Sequence, residues 1–599
     1  MSSKEGKIPV HVIAGVVGKW RETYRWIPIF GGFITFAMAF CAGANNISVP
    51  FSTVVGSGTL TLIQASVAAF LIYVPGTAFA SNSSLDALLS DFLKEKQPNE
   101  GFLMWSSVAV LITATIWLAI ATYLELPVSA QQSTQGALLG TMLVTEGIRY
   151  LPTWNKNANH NFNGGGLLWI FLEWTMAPLI ACVGAFCFFK LLKLIVLRHE
   201  NAEKRALLFL PICYGATTGL LCLFVVYQVI PLVVTTERWK TGLAVALATL
   251  SGVLLSLLVM LLLARRRIKS HGNSNASGEN SSSSKLGLIE SIDEENNVKS
   301  NSDEEKFEAA LKNFMEMRVL ETVYEEDERS WASPPITNEV PDPILSASPV
   351  GSGKATPFKH LLESTPNRLV RKRTFKKMQK TTSREKLSHF FNELKKSAFY
   401  PVIEYDRHTL VRHALAEKFD EIENFFGFPQ LLASCLLAFI QSSIEIAAIA
   451  SPYGAIFEIF YHRAKFSGGG QDAGPIKVTW LIRGIGGFAA SIGFYVWGWK
   501  LTQCLGGKLT YMSNSRGLAS QLCTVATMIM MTRLKLPVSS CHVFVGSLIG
   551  IGIADDPWNV NWKLFIKFLF GWVFTIVFCS VVACGIYSFT IFSPAYVVP

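Results

Sequence analysis

In a chain of 599 residues, 50% are hydrophobic and only 16% charged, and the mean hydropathy is +0.35, more apolar material than an ordinary soluble domain carries. That excludes a soluble enzyme and predicts a polytopic membrane protein. The net charge of +10 sits largely in loops and one hydrophilic block, as expected of segments beside anionic lipid on the cytoplasmic side rather than of a nucleic-acid partner.

Residues 1–25 form an N-terminal segment, in which 10–24 (VHVIAGVVGKWRETY) fit either a short amphipathic helix on the membrane surface or a frayed end. No short apolar stretch with a small-residue cleavage site opens the chain, so the first spanning segment is expected to act as the insertion signal. A first membrane block over 26–264 holds apolar runs at 26–44, 60–79, 102–124, 127–144, 167–196, 206–230 and 241–263. Each is close to the length that spans hydrocarbon, giving about seven crossings.

Arg265, Arg266 and Arg267 open a hydrophilic segment over 265–428, rich in Ser, Asn, Glu and Lys, which is expected to be a largely disordered cytoplasmic loop. Within it, residues 304–324 have helical periodicity, and Ser333, Ser348, Thr356 and Thr365 each precede a proline, as sites of phosphorylation often do. The GSGK at 351–354 lacks the first glycine and the trailing Ser or Thr of a phosphate-binding loop, so ATP-driven transport is not implied. A second membrane block over 429–592 contains runs at 431–450, 478–499, 518–531, 537–553 and 565–592, with a tail over 593–599. These add about five crossings, and the expectation is an all-α integral membrane protein of about twelve transmembrane helices.

The 11 cysteines lie almost entirely inside the apolar runs with no CxxC pair, so they read as small hydrophobes, not as a disulfide framework or a zinc site; no cofactor is implied. The triple arginine, the basic end of the long loop, and Lys190, Lys193, Arg198, Lys204 and Arg205 mark one side as cytoplasmic. Counting back places the N-terminus outside, against the sign of Lys19, Arg21 and Arg25, and leaves the sequon at Asn82 outside as well.

Two polar, proline-bearing seams recur inside the apolar blocks: LPVSAQQSTQG at 126–136 and LPVSSCHVFVG at 536–546. An odd number of crossings before the loop makes the two copies enter the membrane from opposite faces, so the expectation is a pair of inverted-topology repeats. A proline in a bilayer frees backbone groups that lipid cannot satisfy, so such a break must face protein or water. Ser129, Ser133, Ser539 and Ser540, with the free N–H groups of a helix start, are suited to an anion. A second pair of interruptions lies at 43–62 (GANNISVPFSTVVGSGTLTL) and 439–455 (FIQSSIEIAAIASPYGA). Asn45, Asn46, Ser48 and unwound carbonyls offer hard oxygen ligands to a small cation. Glu445 is the only acid of its stretch, and a carboxylate is costly there unless functional or paired. A cation site beside an anion site is the layout of a cation-coupled anion symporter.

The GAN stretch followed by VGS, the run WLAIATYLELPVS at 117–129, the seam LPVSSCHVFVG and the segment VWGWKLTQCLGGKLTYMSNSRG resemble the inorganic phosphate transporter family of sodium–phosphate symporters. The likeness covers both membrane blocks and fails only in the loop, which suits that family's long cytoplasmic insert. It implies that the GAN signatures and the seams build the phosphate and cation sites, which adds Gln131, Gln132 and His542 on the phosphate side and Gln521 on the cation side. It further implies inorganic phosphate and sodium as partners beside membrane lipid, a plasma-membrane location, and compatibility with a homodimer. The chain departs from the family at its acids: Asn46 stands for an Asp, Ile444 and Glu445 for an Asn-Asp pair, and Tyr73 and Gln521 for glutamates. Fewer carboxylates weaken the case for sodium, while Glu445 and His542 leave proton coupling open. A non-transporting phosphate sensor or scaffold, and a carrier for another oxyanion such as sulfate, are the alternatives.

Overall fold

A computed structural model describes residues 20–80, 100–147, 167–226, 239–257 (except 241, 255 and 256), 407–461, 478–534 and 538–590. Residues 284–396 lie outside them, as do the proposed surface helix up to residue 19, the sequon at Asn82, the proline-directed sites, the expected 304–324 helix and the C-terminal tail.

Among the described residues the regular structure is helical. In chain order the elements are α1 Trp26–Asn46, α2 Ser48–Gly56, α3 Leu62–Phe79, α4 Glu100–Tyr123, α5 Ala130–Glu146, α6 Leu167–Leu192 and α7 Ala202–Phe224. Next come α8 Gly242–Leu254, α9 Arg407–Leu415, α10 Asp420–Tyr461, α11 Trp480–Trp497, α12 Trp499–Gln503, α13 Asn514–Arg533, α14 Ser540–Asp555 and α15 Trp562–Thr590. The segment expected over 265–428 thus carries helix at its described end, and α10 begins ahead of residue 429.

Among the described residues seven helices are long and apolar enough to cross a membrane, fewer than the expected twelve. The shortfall has a physical reason. The helix α14, of 16 residues, is buried along nearly its whole length, and at about 1.5 Å per residue it falls short of the roughly 30 Å of hydrocarbon. Likewise α13 carries Ser515, Arg516, Ser520, Gln521, Thr524 and Thr527, all buried in protein. Helices wrapped by other helices need neither the length nor the composition that lipid demands. The outer ones show that composition plainly, with Leu208 77% and Phe33 73% exposed.

The helices that start at the seams pack in a crossed pattern. On α5, Cβ atoms at Gly136 and Gly140 would lie 3.1 Å from Ile576 Cα and 2.1 Å from Ser580 O of α15. On α14, Cβ atoms at Gly546 and Gly550 would lie 2.3 Å from Pro178 O and 2.1 Å from Cys182 O of α6. Small residues four apart let backbones touch where no hydrophobic effect drives association. Each seam helix therefore packs against the helix that follows the other seam. At one end of α14 an ion network, buried at Lys193, Asp555 and Arg516 and open to solvent at Arg198 and Glu417, joins the elements: Lys193 pairs with Glu417 at 2.6 Å and Asp555 at 2.8 Å, Arg198 with Glu417 at 2.8 Å, and Arg516 with Asp555 at 2.7 Å.

Candidate functional site

Two prolines explain where the halves meet. A proline has no N–H for the carbonyl four residues back, so Pro50 leaves Asn46 O without its helical donor and Pro452 does the same to Ala448 O. Each carbonyl is taken by a side chain from the other half. Gln441 Nε2 donates to Asn46 O at 2.8 Å, and Thr134 Oγ1 donates to Ala448 O at 3.2 Å. The unwinding expected at these stretches is therefore small. Only Ile47 separates α1 from α2, and it stays in the helical region at φ −66°, while α10 runs through Pro429 and Pro452 without a break.

The cluster grows from these two bonds. Gln441 Nε2 also donates to Glu445 Oε1 at 2.9 Å, and Ser540 Oγ donates to the same oxygen from the start of α14. Cys541 Sγ reaches Asn46 Oδ1 at 3.5 Å, and Gln131 Nε2 reaches Ile444 O at 3.4 Å. The Asn46 carboxamide faces the Glu445 carboxylate. Beside Glu445 lies a cavity lined by Gly43, Ile47, Tyr73, Thr77 and Gly487, with room of about 10 Å³. That space takes one water or a small cation but not an oxyanion. Tyr73 Oη, which borders it, is buried without a partner.

The first seam is tied down on every side. Its proline and extended start leave carbonyls outside any helix, and Asn45 Nδ2 donates to Leu126 O at 2.9 Å and to Thr122 Oγ1 at 3.2 Å. Asn45 Oδ1 accepts from Val128 N at 3.0 Å. From α15, Lys567 Nζ donates to Leu124 O at 2.7 Å and Trp572 Nε1 to Pro127 O at 2.9 Å. Glu125, held in the left-handed region at φ 58°, pairs with Lys508 at 2.6 Å. Ser129 caps α5 by accepting from Gln132 N at 3.4 Å, and Ser133 Oγ donates to Ser129 O at 2.9 Å.

At the starts of α5 and α14 stand buried groups with no hydrogen-bond partner in the protein: both amide atoms of Gln132, both ring nitrogens of His542, and Ser539 Oγ. Gln132 and His542 are each 0% exposed and occupy the same place, six residues after the leucine of their seams. Buried polar groups are nearly always satisfied, so unsatisfied groups at matched positions are candidates to meet a polar ligand. The hydroxyl, amide and imidazole there offer donors that suit an oxyanion. Two residues with sequence-based assignments stand elsewhere. Ser48 Oγ bonds Ala44 O at 3.1 Å and Gly498 O at 3.0 Å, and Gln521 Nε2 bonds Pro50 O at 2.9 Å and Thr53 Oγ1. Among the described residues no cluster of three His, Cys, Asp or Glu is placed to hold a metal ion.

Residues 42–583 match the model of the phosphate transporter family. The chain belongs to that family. It is 22% identical to a sodium-dependent phosphate transporter of Plasmodium falciparum, over 96% of this chain and 98% of that one. It is 24% identical to the phosphate-repressible phosphate permease pho-4 of Neurospora crassa, over 93% and 96%. Sodium-dependent phosphate transporter 1 of Homo sapiens is 22% identical, over 94% and 95%. A solved structure titled the sodium-dependent phosphate transporter shares the fold, with a TM-score of 0.57 at 19% identity, over 94% of this chain and 99% of that one. Family membership and the apolar helices make this a membrane protein.

Sequence reasoning missed Gln441, Thr134, Thr53 and Trp572. Gln441 had a local signal, standing one helical turn before Glu445 on the same face. Thr134 and Thr53 lie inside the interrupted stretches at 126–136 and 43–62, which pointed to the segments but not to these residues, and Trp572 had no signal.

Proposed function

We propose that this protein carries inorganic phosphate across a membrane, coupled to a cation by symport, with the oxyanion held between the starts of α5 and α14. The observation that carries this reading is that Gln132 and His542, at matched positions of the two seams, and Ser539 Oγ at the start of α14 are all buried without a partner. The names of the relatives, sodium-dependent phosphate transporters, support both the anion and the cation. The coupling cation binds at Glu445, where the small cavity, Tyr73 and Asn46 offer oxygen ligands around one carboxylate. Sodium is the ion the relatives favour; with a single carboxylate, a proton on Glu445 is the second reading.

The crossed packing of α5 on α15 and α14 on α6 supports two inverted repeats, and the buried helices α13 and α14, with the half-exposed α11, raise the crossings toward about twelve. Rocking of one repeat against the other would expose the site alternately to the two faces. We assign the carrier to the plasma membrane, with the hydrophilic segment expected over 265–428 on the cytoplasmic side. The test is isotopic phosphate uptake into vesicles holding the purified full chain, with sodium and proton gradients varied separately and sulfate as competitor. Uptake above empty vesicles that follows one gradient is expected. Binding without flux would make the protein a sensor, and sulfate competing as well as phosphate would change the substrate.

A further inference from the structure

We infer that Trp572 is a positioning residue that holds the two seams in register around the oxyanion site; the inference rests on the reading of Gln132, His542 and Ser539 as that site. Trp572, on α15, is 3% exposed and touches both seams. Its Nε1 donates to Pro127 O of the first seam at 2.9 Å. Its ring meets the imidazole of His542, in the second seam's helix, edge-on, with centroids 4.0 Å apart and planes 67° apart.

A buried tryptophan in a membrane protein usually finds a partner for its N–H, and that alone would make Trp572 an ordinary core residue. Two further observations separate it from that. Pro127 O lies ahead of the Ser129 cap, outside α5, so no helical N–H reaches it and the indole supplies its hydrogen bond. His542 makes no hydrogen bond in the protein, so the tryptophan edge is the ring contact that sets the plane of the imidazole. The position of Trp572 is itself fixed. One turn further along α15, Ile576 lies against Gly136 of the first seam's helix and fixes it there; a separate bond, Trp117 Nε1 to Thr575 Oγ1 at 2.9 Å, joins α15 to α4 and touches neither seam. A rigid helix thus presents one side chain to the backbone of one half-site and to the titratable ring of the other.

The test uses the full chain in vesicles, with W572F, which keeps an aromatic ring and loses the N–H, and W117F as a control that breaks a tryptophan bond to α15 away from the seams. Removing the indole donor from a buried carbonyl should raise the KM for phosphate roughly 5- to 20-fold while the maximal rate per inserted protein stays within about twofold. W117F should leave the KM unchanged. Trp572→His, which restores a ring N–H, should recover part of the loss and also serves if W572F fails to insert. Titration with inorganic phosphate should alter tryptophan emission in the wild type and in W117F but not in W572F. A wild-type KM in W572F, or an equal rise in W117F, would overturn the inference. Lack of phosphate uptake and binding by the wild type would overturn the functional reading beneath it and is seen without any variant.

Discussion

The two seams share a backbone and differ in what their side chains do. Both run leucine, proline, valine, serine into a helix whose glycines, four apart, lie on the backbone of a helix from the other half. Around the first seam, however, Asn45, Lys567 and Trp572 take up the loose carbonyls, and Ser129 and Ser133 turn back onto their own helix. Around the second, Ser540 reaches out to Glu445 while Ser539 and His542 stay without partners. One copy of a duplicated device has become mainly a frame, and the other carries most of the groups free to meet a ligand.

If the frames are equivalent, damage to them must be too. Gly140→Leu and Gly550→Leu each force a side chain into a backbone carbonyl 2.1 Å from the new Cβ. Both should abolish folded carrier, read as loss of a monodisperse peak on gel filtration. A large effect at one and none at the other would break the equivalence.

Next in size is Glu445→Gln. The carboxylate bonded by Gln441 and Ser540 is the one charge in the cluster, and a lone buried acid in a membrane is most simply explained by function. Gradient-driven accumulation of phosphate should fall about tenfold or more, toward simple equilibration, while phosphate binding persists. Retained accumulation would remove Glu445 from coupling.

The serines separate frame from ligand more finely. Ser129→Ala deletes a helix cap and should lower stability by about 1 kcal/mol, with little change in the KM for phosphate. Ser539→Ala removes a donor without a protein partner and should do the reverse, weakening apparent affinity by about 1–3 kcal/mol at unchanged melting temperature. Equal KM shifts in both would mean that the first seam contributes its hydroxyl to the ligand as well.

What the sequence made legible follows the same division. Prolines, a lone Glu445 and two copies of LPVS stand out in an apolar run because lipid makes each of them costly. The partners do not stand out. Thr134 and Trp572 matter only because helix crossings bring them to Ala448 O and Pro127 O, hundreds of residues away. For the same reason Asn45 reads as a ligand in the sequence and as a brace for the first seam in the fold, and the apolar run at 518–531 hides the inward polar face of α13. Composition reports what faces lipid and is silent about what one helix does for another.

The smallest effect concerns the far end of the second seam's helix. While α14 begins among unpartnered groups, it ends at Asp555, bonded to Lys193 and Arg516, and Lys193 is shared with Glu417 outside the spanning segments. The hydrogen bonds from Arg198, and then Lys193, hold the Glu417 carboxyl down to about 2 from an ordinary 4.5, against the opposing effect of its partial burial. A carboxyl depressed on folding contributes stability that is complete above its unfolded value and is lost as pH falls through the folded one. Between pH 4.5 and about 2, therefore, the clasp on α14 should weaken. Because the Glu417 side chain is 34% exposed, solvent screens much of the gain and the shift in melting temperature should be modest. Melting curves of purified protein across that range should show the wild type losing more than Glu417→Gln, whose side chain does not titrate. If the two fall in parallel, the network at the end of α14 is not what the acid releases.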